Sequence, residues 1–580
     1  MEILYIEAKR NNALTMKINN LYVHSKYDPI NEAKNIVSAN FKLNHLHVLF
    51  GLGASHVANE IATRLTEDEA LLIIEPNSVV VDNLRDDDTF KNMIHKDNVE
   101  LINFDGHDLD KLKIILSTYI DKFMGRVEII VTPNYDKLYA EILLSVYKDI
   151  KDVLIHNIVN NNTRNMFANE WQKNHILNLR HFYQSEDISV LFNKIHQPIV
   201  IASGGPSLEK QLELLKKFRK DIFLICAGST LNTLLINNIK PDLLVTVDGG
   251  INNFNHFKDI NLEEIPIAFP LILHHKILEK NTGQKYIFSI HDHVVMNNIT
   301  NDLLNAEISN IQSGQSVANF SLNIALKLTS LPICLIGQDL AYTNHYTHSL
   351  GNKNMKKIDE EFINNRKAFY TEGYYGEDVL TDYVFEGMRK SFEQIIENET
   401  YSNEVFNCTE GGVKIKGFKQ IAFSKFLNDS IDDKANENFL IENNDLIVKE
   451  IPSEFINKIN KKILDYKELL EVLEKTLKLF EQYHENNDYS FHNLSEDLIQ
   501  SDNTIKTYLN DQFLFYIVSP VIYKVNHLDL KRDQENDQEV EGRLVRKSTV
   551  LYTDIEHSVS KMVRWLEVLI NKINNKEFPE

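Results

Sequence analysis

The sequence is short of cysteine. Cys226, Cys334 and Cys408 are the only three among 580 residues, and no two of them form a CxxC pair. That spacing argues against a disulfide framework and against a zinc site, and it fits a reducing compartment. Cys226 (FLICA) and Cys334 (PICLIG) sit in apolar runs, where a cysteine acts as a small core residue. Positive charge is also scarce: 62 Lys and Arg stand against 83 Asp and Glu, a net charge of −21. An acidic chain repels phosphate backbones, so no nucleic-acid partner is expected, although one local pocket for a nucleotide is compatible with the balance. No stretch reaches the roughly 20 apolar residues of a membrane span. The opening MEILYIEAKRNN carries an early acid and no long apolar core, so no signal peptide is expected. These absences point to a cytoplasmic protein without a membrane span. What is present is ordinary for a globular chain: 43% hydrophobic and 25% charged residues.

The apolar pattern divides the chain into three expected domains: 1–194, 195–427 and 428–580. In the first, HVLFGLGAS (47–55) reads as a strand and a glycine turn, VANEIATRL as a helix, and LLIIEPN (71–77) as a second strand. VEIIVTPN (127–134) adds another strand, and 163–182 a connecting helix. Alternating strands and helices predict an α/β domain with a parallel sheet. In the second, strands are expected at 198–202, 222–226, 243–247, 266–269, 286–290 and 332–336, with Leu208, Leu212 and Leu215 on one helix face. Continuous apolar strands suit a parallel sheet covered on both faces. An acidic, Asn-rich linker over 428–449 then leads to an α-helical domain. Its seams are Ile456, Ile459, Ile463, Tyr466, Leu470, Leu473, Leu477 and Phe480, and then Ile555, Val559, Met562, Leu566 and Leu569.

The sharpest local motif is IVIASGGPSLEKQL (199–212). A buried strand ends at Ala202; Ser203, Gly204 and Gly205 turn; Pro206 and Ser207 open a helix. Glycines let the backbone approach an oxyanion, and a helix start offers free N–H groups. Ser207 either caps that helix or donates to a phosphate oxygen. Ligands of open α/β sheets sit outside the carboxyl ends of the strands. Three polar clusters are expected there: Ala227-Gly228-Ser229-Thr230, Val247-Asp248-Gly249-Gly250 and Gly337-Gln338-Asp339-Leu340. Asp248 is a candidate for a ribose hydroxyl or for Mg2+ on a diphosphate, or else a turn cap. Asp339 is a candidate to orient a histidine, to hold the sugar, or to cap a helix. Ser313-Gly314-Gln315-Ser316 precedes VANFSLNIALKL, a second helix start rich in donors. In AYTNHYTHS, His348 is the favoured general base and His345 the runner-up. His274, His275, His291 and His293 read mainly as structural.

Five motifs in order carry a resemblance. ASGGPSLEKQL, PDLLVTVDGG, SGQSVANFSLNIAL, PICLIGQDLAYTNHYTHS and NCTEGGVKIKGF resemble the motility accessory factor (Maf) flagellin glycosyltransferases, best over about 200–425. The resemblance implies a Rossmann-like N-terminal domain, a central catalytic domain similar to bacterial sialyltransferases, and a helical C-terminal domain. It implies transfer of a nonulosonic acid, of the pseudaminic or legionaminic type, from a CMP-activated donor to Ser or Thr of flagellin, in flagellar assembly and motility. Gly204 stands where the sialyltransferase turn has Asn. Ser313 or Ser316 resembles the family's phosphate-side serine, Tyr342 and Tyr346 its tyrosines, and His348 its base. Glu410, Gly411 and Gly412 match a TEGG segment whose role is either a turn or part of the site. The implied mechanism is direct displacement: His348 deprotonates the acceptor hydroxyl, CMP departs, and the turns at 203–207 and 313–316 stabilise the leaving phosphate. No cofactor is obligatory, and Asp248 leaves Mg2+ open. The SGGPSL turn and VDGG also resemble the archaeal hydroxymethylpterin diphosphokinases, which use ATP and magnesium. A non-catalytic flagellin-binding protein is the third reading. Finally, Gly51 and Gly53, with Glu75 at the end of the next strand, resemble part of a dinucleotide or S-adenosylmethionine site, with the third glycine of the fingerprint missing.

Overall fold

The computed structural model describes residues 2–10, 13–398, 402–431, 449–486, 488–532 and 534–574; most of the expected linker, 432–448, lies outside them. By its internal contacts the chain forms two compact units, Met1–Met166 with Ile522–Leu551, and Phe167–Val521 with Tyr552–Glu580. This is a different partition from three consecutive segments, because the C-terminal helices are shared between the units. A 39-residue helix, Ala140–Asn178, stands where the connecting helix is expected. No described helix is long and apolar enough to cross a membrane.

The larger unit holds a nine-stranded sheet in which every pairing is parallel. From Ile199–Ala202 the chain moves outward on one side through Phe223–Ala227, Leu243–Val245, Ile267–Phe269 and Lys285–Ile287. It then crosses back to lay Ile333–Ile336 on the other side of Ile199–Ala202, followed by Val405–Asn407 and Lys419–Gln420. Strand order therefore reverses between Ile199–Ala202 and Ile333–Ile336, and the crevice for a ligand opens where these two strands end. Ala202 and Ile336 are paired in the ladder, so the turns after them start side by side. The helix Val317–Leu328 lies in the core, with ten buried residues. Ser316 starts it with a reciprocal capping box to Asn319.

The six strands expected in this unit are present within a residue or two. One differs: 286–290 splits after Ile287, and Ser289–Ile290 pairs instead with Asn310–Ile311. The helix expected from Pro206 opens as a 3-10 turn, Pro206–Lys210, and only Leu212–Lys217 is α-helical. In the C-terminal helix Ser453–Glu485, Leu469 and Thr476 take the buried places expected of Leu470 and Leu477. A helix seam drifts by one residue over two turns because 3.6 residues per turn matches neither three nor four.

The smaller unit carries a four-stranded parallel sheet in the order Val99–Asn103, Ala70–Glu75, Leu46–Phe50, Val127–Val131. The glycine turn after Phe50 again sits where the order reverses. Here the chain itself fills the place of a ligand. Each N–H from Gly51 to Ser55 has an acceptor: Ile74 O at 2.8 Å, Glu75 Oε2 at 2.6 Å, Tyr135 Oη at 3.1 Å, His24 Nε2 at 2.9 Å and Leu52 O at 3.0 Å. A Cβ on Gly51 would stand 2.3 Å from the Tyr135 ring, and one on Gly53 2.4 Å from His24 Nε2. The partial fingerprint is therefore a packed turn with no donor left for a phosphate.

Glu75 is fully buried, and burial pushes its pKa from 4.5 up to about 7, opposed by hydrogen bonds from the turn and from Tyr135. A carboxyl that holds its proton longer in the folded than in the unfolded state loses stabilising effect as pH rises from 4.5 to 7. Across that window the wild type should lose about 3 kcal/mol relative to Glu75→Gln, which has no proton to release. Urea unfolding of both proteins at pH 5 and 7.5 measures this; parallel pH dependence in the two would refute it.

Candidate active site

The site is built where the two central strands end. After Ala202 the chain turns through Ser203, Gly204 and Gly205. Ser203 N bonds Ile336 O at 2.9 Å and Gly205 N bonds Gly337 O at 2.8 Å, which locks this turn to the one after Ile336. Pro206 has no N–H, and Ser207 N reaches Asp339 Oδ1 at 3.1 Å. Gly204 alone in this turn keeps an N–H with no acceptor among the described residues. The glycines are needed for close approach. A Cβ on Gly205 would lie 2.2 Å from Asp339 Oδ1, and one on Gly204 2.7 Å from Asn352 Nδ2.

Asp339 holds the two turns together. It is 2% exposed, and its Oδ2 accepts from Ser207 Oγ at 2.7 Å and Thr343 Oγ1 at 2.6 Å. Burial raises its pKa, and the hydrogen bonds from Thr343 and Ser207 oppose that rise. Beneath it runs the segment Thr409-Glu410-Gly411-Gly412. Thr409 Oγ1 accepts from Gln338 N at 3.2 Å, and Val413 N donates to Asp339 O at 2.8 Å. A Cβ on Gly412 would stand 2.0 Å from Asp339 O, and one on Gly411 2.3 Å from Ser207 Oγ. These two glycines let the segment pack directly under the turn. Glu410 itself receives Phe423 N at 3.1 Å on its carboxylate.

The histidine loop is pinned from several strand ends. Ser349 N donates to Gly204 O at 3.0 Å, and Leu350 N to Glu209 Oε1 at 2.9 Å. Asn352 Nδ2 donates to Ser229 O at 3.0 Å, and Asn232 Nδ2 to Gly351 O at 2.5 Å. Lys353 Nζ reaches Asn255 O at 3.2 Å. The loop's start is strained into left-handed backbone at Leu340, Asn344 and His345. The result fixes His348 beside the turn: its Cδ2 would lie 3.7 Å from a Cβ on Gly204. His348 is half-buried, with Nδ1 buried and unpartnered among the described residues. Burial pushes its pKa below the usual histidine range, His256 adds to this, and the Asn354 backbone opposes it. Neutral imidazole is the form that accepts a proton.

A cleft of about 200 Å3 opens here. Its polar side is Ser203, Gly204, Gly205, Ser229, Gln338, Thr347 and His348, with Ser316 at the start of its helix. Its apolar side is Val317, Ala318, Leu340 and Ala341, with Phe385 and Met388 from the helix Tyr383–Asn398. Seven expected residues thus meet in one place: Ser203, Gly204, Gly205, Ser229, Ser316, Gln338 and His348, with Asp339 at the floor. Phe385 and Met388 were not expected. Their spacing of three puts them on one helix face, and only the fold shows that this face borders the crevice.

Other expected residues are placed elsewhere. Ser207 is 1% exposed and its hydroxyl is turned down to Asp339. Pro206 and Gly228 do not line the cleft, and a Cβ on Gly228 would meet the Phe257 ring at 2.7 Å. Tyr342 is buried, and its hydroxyl donates to Asp382 Oδ2 at 2.7 Å, anchoring the start of the Tyr383–Asn398 helix. Tyr346 and His345 lie along the loop outside the cleft, and His345 is exposed. Asp248 is exposed and caps its own turn by accepting from Gly250 N at 2.8 Å. Among the described residues no group of three or more His, Cys, Asp or Glu side chains could hold a metal ion. Ser313 donates to Asp292, Gly314 packs on Asn319, and Gln315 lies against Gly387.

Two comparisons with known proteins found a match. A family model described as 6-hydroxymethylpterin diphosphokinase MptE-like matches residues 173–345, the part that holds the sheet's switch point. Over nearly the whole chain, the structure is similar to that of a MAf glycosyltransferase from Magnetospirillum magneticum AMB-1. The TM-score is 0.60 at 13% identity, covering 98% of this chain and 93% of that one. At that identity the likeness is one of fold. No curated protein matches the sequence.

Asp339→Ala removes the acceptor of two hydroxyls and one N–H in a dry interior. It should destabilise the larger unit by about 3 kcal/mol, with Asp339→Asn less damaging because it keeps one acceptor. Urea unfolding of the three proteins gives the values; a loss below 1 kcal/mol for Asp339→Ala would mean that the two turns hold without it.

Proposed function

We propose that this chain is a glycosyltransferase of the Maf type. On this reading it moves a nonulosonic acid from a CMP-activated donor to Ser or Thr hydroxyls of flagellin in the cytoplasm. The observation that carries the reading is the meeting, at the switch point, of a free Gly204 N–H and a half-buried His348 whose pKa is lowered. The shared fold with a MAf glycosyltransferase supports it.

The chemistry follows from those two groups. The donor's phosphate oxygen accepts from Gly204 N–H. His348 takes the proton of the acceptor hydroxyl as that oxygen bonds the anomeric carbon. The bond from that carbon to the phosphate oxygen breaks, and CMP leaves with the electron pair. A backbone donor fixed before the reaction stabilises the growing charge without reorganising. At about 200 Å3 the cleft is smaller than the 300–1,000 Å3 typical of ligand pockets. The phosphate and its neighbouring ring fill it, and the rest of the donor lies along the open rim. No step as written uses a metal, and Asp248, which does not line the cleft, has no part in it.

A second reading is favoured by the match of 173–345 to the MptE-like model: diphosphate transfer from ATP with magnesium. Calorimetric titration with CMP and with ATP, each with and without Mg2+, separates the two. Micromolar CMP binding that Gly204→Ala weakens is expected, since the added Cβ would displace Asn352 and the histidine loop. Magnesium-dependent ATP binding without CMP binding would replace the first reading by the second. His348→Ala should lower transfer by about 10²–10⁴-fold while CMP binding stays within a few-fold. Because the His348 pKa is lowered, kcat/KM should hold as pH falls through 6.5 and decline only below it; a decline centred above 6.5 would point to a different base.

A further inference from the structure

The smaller unit has a second cavity, at the opposite end of its sheet from the packed glycine turn. It measures about 710 Å3, inside the usual range for ligand sites. Leu43 and Asp68 reach it from just before the strands Leu46–Phe50 and Ala70–Glu75. The rest comes from the segment before the helix Asp537–Asn574 and from that helix's first turns.

Its charge runs against the rest of the molecule. Lys531, Arg532, Arg543 and Lys547 all line it, in a chain of net charge −21. Arg543 is matched by Glu535, which it grips through Nε and Nη2 at 2.8–3.0 Å. Lys531, Arg532 and Lys547 have no carboxylate within ion-pair distance among the described residues. Arg126 adds a fifth cation close by: its Nε donates to Asn44 O at 2.9 Å, while its Nη1 is buried with no partner. Lys547 is held below its usual pKa by burial, then by Arg543, with Arg126 adding to it and Asp68 and Asp529 opposing. Asp68 and Glu535 also line the cavity, but the four cations outnumber them, and the surplus positive charge repels itself and weakens the fold. An anion that neutralises them removes that cost.

We propose that this cavity binds a small anion carrying a chain of phosphates, held by Lys531, Arg532 and Lys547. Cations on flexible stems suit the several oxygens of a phosphate chain, and the guanidinium of Arg532 takes two of them at once. Leu43, Val540 and Leu544 give the cavity an apolar wall, against which a nucleoside would pack. The phosphate chain is the chemistry that the cations recognise, whether a nucleotide or inorganic polyphosphate brings it. The site is separate from the glycosyl-transfer cleft and does not depend on that reading.

The test uses the full chain in calorimetric titrations with ATP and with tripolyphosphate, in Gly204→Ala protein so that the other cleft is impaired. Saturable binding below about 1 mM is expected, falling about tenfold or more in Arg532→Gln/Lys547→Gln. Neither side chain has a carboxylate within ion-pair distance among the described residues, so unfolding temperature should fall little in that variant, and added ATP should raise it only in the parent. Tighter binding of ATP than of tripolyphosphate identifies a nucleotide as the source; equal binding identifies the phosphate chain alone. No saturable binding of either anion, or binding that the double variant leaves unchanged, overturns the proposal.

Discussion

The buried carboxylate of Asp339 is the constraint on which the larger unit's site depends. Two parallel strands deliver two turns to the same point, and nothing in a parallel ladder fixes what those turns do next. Asp339 does, by accepting from Ser207 on one turn and Thr343 beyond the other. An anionic side chain in the interior is tolerated because its oxygens are met by oriented donors. The short residues around it follow from this. Gly205 leaves room for its carboxylate, Gly412 for its backbone, Gly411 for Ser207 Oγ, and Gly204 for the loop that carries His348.

The two glycine turns in this chain show why a motif alone does not define a site. Both follow a buried parallel strand at a reversal of strand order, and both have backbone that approaches its surroundings closely. The difference lies in where the N–H groups go. In the smaller unit each amide from Gly51 to Ser55 finds an acceptor, three of them supplied by the side chains of Glu75, Tyr135 and His24. In the larger unit Gly204 lines a cleft and its N–H has no acceptor among the described residues. A phosphate competes for free donors, so the first turn is closed to it and the second is open.

The fold was legible where local pattern decides it. The apolar runs ending at Ala202, Ala227, Val245, Phe269 and Ile336 announce buried strands, and their ends announce the crevice. Short outer strands such as Lys419–Gln420 and Glu186–Asp187 carry no periodic signal, since two residues show no alternation. Ser203, Gly204, Gly205 and Gln338 were readable because each follows a strand end by one to three residues, and His348 by its residue type in the polar loop that comes after one. Phe385 and Met388 were not, because their helix reaches the cleft through tertiary packing, anchored by the Tyr342–Asp382 hydrogen bond. That same bond is why Tyr342, a polar residue beside a strand end, faces inward. Side-chain direction depends on partners far away in sequence, and a local motif cannot name them.

The choice between the two histidines of the loop rests on the same kind of accounting. His345 has positive φ and an exposed ring, so it bends the backbone and leaves its side chain in water. Its backbone, however, is used: Ile358 N donates to His345 O at 2.9 Å, which closes the loop on itself. Three residues later the chain is fastened to Gly204 O, to Glu209 and to Ser229, and His348 is carried with it to the cleft wall. On the proposed function a proton acceptor must be fixed relative to the atom it serves, because a displacement of about 1 Å costs orders of magnitude in rate. His345 therefore shapes the loop, and the imidazole whose position the loop controls is that of His348.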